Sequence, residues 1–195
     1  DPAAGDTLAS VTVTGNQKDV GSSDNVASDA KLMRGDRDVT ANYAIEYQPG
    51  TLTVTPVTDK VTVTITGHTD TVTYKGAVQS VTGYETAISN SLYTAADFAF
   101  SGTASVTGTD AGTYAMGLTA AQFENISRNF TNVEFAVTDG WLKIDPMALT
   151  ITADSGSKVY DGTALTKNSY TTSTDPAAGD TLASVTVKGS QTNAG

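Results

Sequence analysis

The groups in this chain that could carry acid–base or nucleophilic chemistry are few. His68 is the one histidine, and cysteine is absent. That removes disulfides, thiolate nucleophiles, thiolate zinc sites and any multi-histidine metal centre. A serine-type triad needs a histidine held by a carboxylate and facing an activated hydroxyl. His68 lies in Gly67-His68-Thr69-Asp70, between two strand-like runs, and no Gly-x-Ser-x-Gly elbow occurs. It reads as a solvated loop histidine. Glycoside hydrolysis needs two carboxyl groups roughly 5–10 Å apart. The glutamates are Glu46, Glu85, Glu124 and Glu134. Glu46 and Glu134 occupy nearby positions in two related segments, flanked by alternating apolar residues. That puts them on solvated faces of different domains. Nothing converges, so no catalytic residue is assigned and the chain reads as a non-enzyme.

Binding chemistry offers more. Asp24, Asp29, Asp36 and Asp38 crowd one stretch, but the Asp-x-Asp-x-Asp-Gly spacing of a calcium loop is missing. No metal ligand or cofactor is assigned. Arg34-Gly35-Asp36 is a short recognition tripeptide that chance supplies often; Gly35 reads as a hairpin glycine. Aromatic rings gather in one part of the chain: Tyr84, Tyr93, Phe98, Phe100 and Trp141. Such rings stack on sugars, and they also fill cores that lack disulfides. Trp141 follows the Asp139-Gly140 turn and aligns with Thr51, a solvated position in a related segment. Trp141, Tyr84 and Tyr93 are therefore the candidate ligand-binding residues, with an edge-packing role for Trp141 as the other reading.

The elements that would position these groups are strands. Threonine occurs 34 times in 195 residues, and its β-branched side chain suits the solvated face of a sheet. Val61-Thr62-Val63-Thr64-Ile65-Thr66 alternates strictly, as do Thr51–Thr55 and Leu149–Thr152. One-sided strands of this kind belong to antiparallel sheets packed face to face. Turns punctuate them at Gln48-Pro49-Gly50, Asp110-Ala111-Gly112, Thr138-Asp139-Gly140 and Asp161-Gly162. Ala120–Phe123 and Tyr93–Ala96 could each form one helical turn. Hydrophobic residues are 38% with 18 glycines besides, enough for a core. A net charge of −10 repels phosphate backbones and anionic lipid, which argues against nucleic acid as a partner. No apolar run approaches the roughly 18 residues of a membrane span.

Repetition organises the chain. Residues 175–195 match residues 1–21 at 16 of 21 positions. A weaker match, offset by 90, aligns Asn42–Pro56 with Asn132–Pro146, each reading as strand, glycine turn, strand and proline. Val61–Gly76 resembles Leu149–Gly162, both closing on Tyr-x-Gly: Tyr74-Lys75-Gly76 and Tyr160-Asp161-Gly162. Two related units therefore alternate. Residues 57–147 form a complete repeat A; residues 148–195 form the N-terminal part of a repeat B and residues 1–56 its C-terminal part. The chain reads as a piece of a longer tandem array. Each unit has the size of an immunoglobulin-like sandwich of about seven strands. Short proline-bearing joints at Pro56 and Pro146 predict a rod.

Lys158-Val159-Tyr160-Asp161-Gly162-Thr163, the Asp38–Tyr43 run and the closing Gly50-Thr51-Leu52-Thr53-Val54 resemble the YDG/MBG-type repeats of bacterial surface proteins. The resemblance covers nearly the whole chain and implies a large adhesin, attached to the cell wall or secreted. It implies a non-catalytic stalk or adhesin region. The other reading is that the repeats themselves bind host glycan, mucin or matrix protein through the aromatic patch of repeat A. Tyr74, Gly76, Tyr160, Asp161 and Gly162 are expected to be structural turn residues, with Lys75 where repeat B has Asp161. Surface sandwiches of this kind also crosslink Lys to Asn; Lys60, Lys143 and Lys158 with Asn42 or Asn132 are the residues to inspect. Lys143, between Leu142 and Ile144, should point outward. The sequons at Asn125 and Asn129 carry little meaning in a bacterial protein.

Half a sandwich cannot bury its inner face. The C-terminal half of one molecule is therefore expected to complete the N-terminal half of the next, head to tail. The duplicated 21 residues then compete for one strand position.

Overall fold

The computed structural model describes residues 2–193; Asp1, Ala194 and Gly195, the outer ends of the duplicated stretches, lie outside the described residues. The fold is all-β, with short 3-10 turns as its helical elements. The chain divides into two compact units. One comprises Asp1–Val63, Ile88–Ala99 and Glu124–Glu134; the other comprises Thr64–Ala87, Phe100–Phe123 and Phe135–Gly195.

In the first unit, β1 (Thr7–Thr14), β2 (Gly21–Arg34), β3 (Arg37–Asp38) and β4 (Gly50–Val54) share one sheet. The long β2 has two antiparallel partners in succession: β4 along Gly21–Asn25, and β1 along Val26–Met33. Two register shifts in β1 bend this ladder, and Asp29 on β2 adopts φ +51°, a conformation that aspartate tolerates better than most residues. The expected tripeptide hairpin forms, with Gly35 at φ +57° between β2 and β3. Leu32 and Val39 are buried, whereas every residue of β1 is exposed. Elsewhere in this unit Val61, Val63, Tyr93, Phe98 and Phe130 are buried.

The sequence predicts a strand over Asn42–Tyr47. The structure instead has a 3-10 turn at Thr40–Asn42 and an unladdered stretch to Pro49. A strand exists only where a neighbour takes its backbone hydrogen bonds, and none reaches these residues.

Residues 57–147 hold ten short strands rather than about seven, because turns and the 3-10 pieces Ala95–Asp97 and Ala120–Gln122 cut them. These are β5 (Val61–Gly67), β6 (Thr69–Thr73), β7 (Gln79–Thr82), β8 (Tyr84–Ile88), β9 (Phe98–Phe100), β10 (Ser105–Gly108), β11 (Gly112–Ala115), β12 (Phe123–Asn125), β13 (Val133–Thr138) and β14 (Trp141–Asp145). They pair in the orders β11-β14-β6, β13-β5-β8, β10-β7 and β12-β9. Alternation on β5 puts Val61, Val63 and Ile65 inward and threonines outward. β14 does the same, with Leu142 and Ile144 buried and Trp141 and Lys143 exposed. β14 runs antiparallel to β11 but parallel to β6. A parallel pair needs a long connection, and the chain between residues 73 and 141 supplies it.

The core of the second unit is Val81, Val106, Met116, Leu118, Leu142 and Ile144, with Tyr84, Phe100 and Val137 packed on it. Each fully buried aliphatic side chain contributes about 1.5–3 kcal/mol. Gly67 and Gly140 let two backbones touch: a Cβ on Gly67 would lie 2.3 Å from the Gly140 nitrogen. After β14, β15 (Ile151–Ala153) and β16 (Tyr170–Thr172) form a two-stranded ladder, and Ala177 is the buried hydrophobic residue of this stretch.

Candidate functional site

Trp141 is exposed at the start of β14, with 37% of its surface accessible. Its N–H donates to the carbonyl of His68 at 3.2 Å. His68 in turn donates through Nδ1 to the Thr82 carbonyl at 2.7 Å, and its Nε2 stands 3.3 Å from Glu85 Oε1. The tie between Trp141 and His68 is thus one of backbone to backbone, and the His68 ring is engaged by Thr82 and Glu85. Tyr84 is half-buried, and its ring meets Phe100 and Phe123 edge-on at 5.4 and 5.5 Å. Tyr93 belongs to the other unit and is 2% exposed. It stacks on Phe98, meets Phe130 edge-on, and donates its hydroxyl proton to the Asp97 carbonyl and Asn125 Oδ1. Of the three aromatic candidates, Trp141 is the one that faces solvent.

The Tyr-x-Gly segments make turns with left-handed glycines, Gly76 at φ +72° and Gly162 at φ +79°. In the second, Asp161 Oδ1 accepts from the Thr163 N–H (2.9 Å), the Thr163 hydroxyl (2.7 Å) and Lys158 Nζ (2.7 Å). The Lys158 ammonium, then Thr163, hold the Asp161 carboxyl down to about 2. Tyr160 lies exposed beside this turn. In the first, Tyr74 is engaged. Its O–H donates to Asp180 Oδ2 at 2.8 Å and its N–H to the Asp145 carbonyl at 2.8 Å. A Cβ on Gly76 would lie 2.1 Å from the Ala178 carbonyl oxygen, so only glycine lets the turn close on that loop. A groove of about 340 Å³ beside the contact is lined by Tyr74, Asp110, Asp175 and Asp180 with Pro146, Met147 and Leu149 among its apolar members.

The loop that receives Tyr74 is the second Asp-Pro-Ala-Ala-Gly-Asp segment. The first copy does the same with another tyrosine: Tyr43 donates to Asp6 Oδ2 at 2.6 Å, and Arg34 reaches both oxygens of Asp6 at 2.5 and 3.1 Å. Arg34, then Tyr43, hold the Asp6 carboxyl below the usual carboxylate range. Arg34 of the recognition tripeptide is thus committed to a carboxylate of its own chain.

Residues 52–146 match the family model of the MBG domain. This segment is an MBG domain. No curated protein and no solved structure matches the chain significantly. MBG domains occur in bacterial surface proteins and make up a non-enzymatic repeat family. No helix among the described residues is long and apolar enough to cross a membrane.

The MBG domain is tied to the chain on both sides by side chains as well as by the backbone. On the preceding side, Asn129 Oδ1 accepts from the Val20 N–H at 2.8 Å and Asn129 Nδ2 donates to Asp19 Oδ1 at 3.0 Å. On the following side, Tyr74 holds Asp180. Sequence reasoning missed Asn129 and Asp180 as joint residues, and Asp6 as the equivalent tyrosine acceptor within the first 56 residues. A signal was present: the first 13 residues of the duplicated stretch are identical, and the pair of aspartates lies within them. Asn125 and Asn129 are both spent internally, Asn125 on Phe130, Ser127 and Tyr93. The lysines inspected for crosslinks pair with carboxylates instead, Lys60 with Glu134, Lys143 with Asp145 and Lys158 with Asp161. Lys143 is half exposed, on the outward face. Among the described residues, no three metal-ligating side chains stand together.

Proposed function

We propose that this chain is a non-catalytic repeat region of a bacterial surface adhesin, lying at the cell surface or secreted, whose MBG domain acts as a stalk element. The observation that carries the reading is the pair of hydrogen-bonded joints. Asn129 grips Asp19 and Val20 on one side, and Tyr74 grips Asp180 on the other. Proline alone would stiffen each joint through φ; a side-chain bond to the neighbouring segment adds a fixed orientation. The acidic groove and the net charge of −10 make phosphate-rich partners poor ones. The test is backbone ¹⁵N relaxation on the whole chain. Residues 175–180 should tumble with residues 69–74, and Tyr74→Phe should release them. Independent tumbling of 175–180 in the unaltered protein would remove the stalk reading.

The second reading is direct binding of host glycan, mucin or matrix protein at Trp141. Its support is the exposure of the one tryptophan at the start of β14. A multivalent display of the chain, compared with Trp141→Ala, tests it. Binding that disappears in the variant supports a lectin-like repeat; equal binding by both places the contact elsewhere.

A further inference from the structure

Three of the five prolines follow an aspartate: Pro2, Pro146 and Pro176. An Asp–Pro bond carries the parts for its own hydrolysis. The side-chain carboxylate can close a five-membered ring on its own carbonyl carbon, an intramolecular attack with no second molecule to bring up. The prolyl nitrogen is a tertiary amide, which takes up a proton more readily than other backbone nitrogens and so leaves more easily. Asp1 lies outside the described residues, so Asp145–Pro146 and Asp175–Pro176 are the two bonds to compare.

Their surroundings differ. Asp145 ends β14, matched with Thr73 of β6, and its carbonyl oxygen accepts the Tyr74 N–H at 2.8 Å. A donor fixed on that oxygen stabilises the negative charge that develops there when the carbonyl carbon is attacked. Lys143, two residues back on the same strand, holds Asp145 Oδ1 at 2.8 Å. Among the described residues Oδ2 has no hydrogen-bond partner, which leaves it free to attack. Pro146 is exposed, so solvent reaches the leaving nitrogen. The other titratable groups at this end are the Tyr74 phenol and Asp110, Asp175 and Asp180, which line one groove with Pro146. While ionised, these carboxylates favour a proton on the prolyl nitrogen. Asp175 instead sits in a loop outside any ladder. Its carbonyl accepts from the neighbouring Thr174 hydroxyl at 3.2 Å, and no described cation pairs with its carboxylate. The joint ahead of the domain, Thr55–Pro56, has no carboxyl at all.

We infer that Asp145–Pro146 is a self-cleavage site that opens in acid and parts the last strand of the MBG domain from the residues that follow it. Asp145 Oδ2 attacks the Asp145 carbonyl carbon. The bond from that carbon to the Pro146 nitrogen breaks, and its electron pair takes a proton from solvent, leaving a free prolyl amine. The cyclic anhydride left on Asp145 is opened by one water, which restores the side-chain carboxyl and creates a C-terminal one. The sum is hydrolysis of one peptide bond by one water. Asp145 is the reacting group; Lys143 is a positioning residue. The inference is independent of whether the region serves as a stalk or binds a ligand.

The test holds the whole chain in a mildly acid buffer in which circular dichroism shows the fold retained, and in the same buffer with denaturing urea. Denaturing mass spectrometry follows the fragments. Residues 1–145 and 146–195 should appear about tenfold faster from the folded chain than from the unfolded one. Cleavage at Asp175–Pro176 should be equally slow in both, and Thr55–Pro56 should stay whole. Asp145→Asn should abolish the cut at 145–146. Lys143→Met, on the outward face, should slow that cut without moving the rate at 175–176, and Lys143→Arg should restore it. The rate should not depend on protein concentration. A folded-state cut at 145–146 no faster than at 175–176, or no faster than in urea, overturns the inference. So does a cut that survives Asp145→Asn, or one that slows on dilution as the work of a contaminating protease would.

Discussion

Residues 1–13 and 175–187 are the same thirteen amino acids in the same order, and they take two structures. Their loops agree. Gly5 and Gly179 share φ +89°, and the same bond closes each turn, Asp6 N–H to the Ala3 carbonyl and Asp180 N–H to the Ala177 carbonyl, both 2.9 Å. Their tails differ. Thr7–Val13 lie in β1, laddered to β2; Thr181–Val187, identical in sequence, form no strand. The turn is a local object, determined by a glycine that tolerates positive φ and a bond spanning three residues. The strand is not local. Threonine and valine make it available, but a partner backbone must take up its hydrogen bonds. β2 does this for the first copy.

That contrast can be broken most directly at β2. Leu32 is buried and pairs with Leu8, so Leu32→Ala should cost about 2–5 kcal/mol. Hydrogen exchange over Thr7–Thr14 should then accelerate toward the rate of Thr181–Lys188, which should not change. A strand 7–14 that stays protected would mean the difference does not lie in its partner. Next in size, Gly5→Val and Gly179→Val should each strain a left-handed turn by about 1–2 kcal/mol. Exchange of the Asp6 and Asp180 amides should respond equally. Unequal responses would show that the loops depend on their surroundings after all.

Acid separates the carboxylates more gently. Asp161 titrates at about 2 against an unfolded value of about 3.9. A depressed carboxylate stabilises the fold above its unfolded value and loses that contribution as pH falls through the folded one. The Lys158–Asp161–Thr163 turn should therefore hold at pH 5 and loosen between about 4 and about 2, read as the carboxyl ¹³C shift of Asp161. Asp6, held down by Arg34 and Tyr43, should also titrate below its unfolded value and release Tyr43 as it does so. Smallest of all is the alkaline counterpart. Hydrogen bonding to Asp6 and to Asp180 raises the phenols of Tyr43 and Tyr74 above the usual tyrosine value. Their contribution is present below about 10 and lost as pH rises through the raised values. Ultraviolet titration of Tyr43→Phe and Tyr74→Phe should each remove one late-ionising phenol.

The same local-against-distant division explains what the amino-acid order revealed in advance. Alternation in Val61–Thr66 foretold β5 and its buried face, because period two is written in neighbouring residues. Asp-Gly and Tyr-x-Gly foretold turns for the same reason. The two single-turn helices expected near Tyr93–Ala96 and Ala120–Phe123 form at Ala95–Asp97 and Ala120–Gln122, where Thr94 and Thr119 cap them. The strand expected at 42–47 does not form, and no inspection of those residues alone could reveal it, since the absence belongs to their neighbour. Site legibility follows suit. Exposure of Trp141 follows from its place opposite Leu142 in the alternation. Burial of Tyr93 depends on Phe98 and Phe130, one of them 37 residues away, and the grip of Tyr74 on Asp180 spans 106 residues.

The parallel pairing of β6 with β14 has a mechanical meaning. Five consecutive residues of each strand are matched, Thr69–Thr73 against Trp141–Asp145, and they are the second and the last strands of the domain. Tension applied along the chain reaches β14 directly at its trailing end and β6 at its leading end only through β5, which β13 and β8 hold. Because the two run in the same direction, that pull slides them lengthwise and loads every bond of the ladder at once. An antiparallel pair pulled from one end would open like a zip, one bond after another. Survival of a forced domain is governed by its unfolding rate rather than its equilibrium stability, and shear loading raises the force at which that rate becomes appreciable.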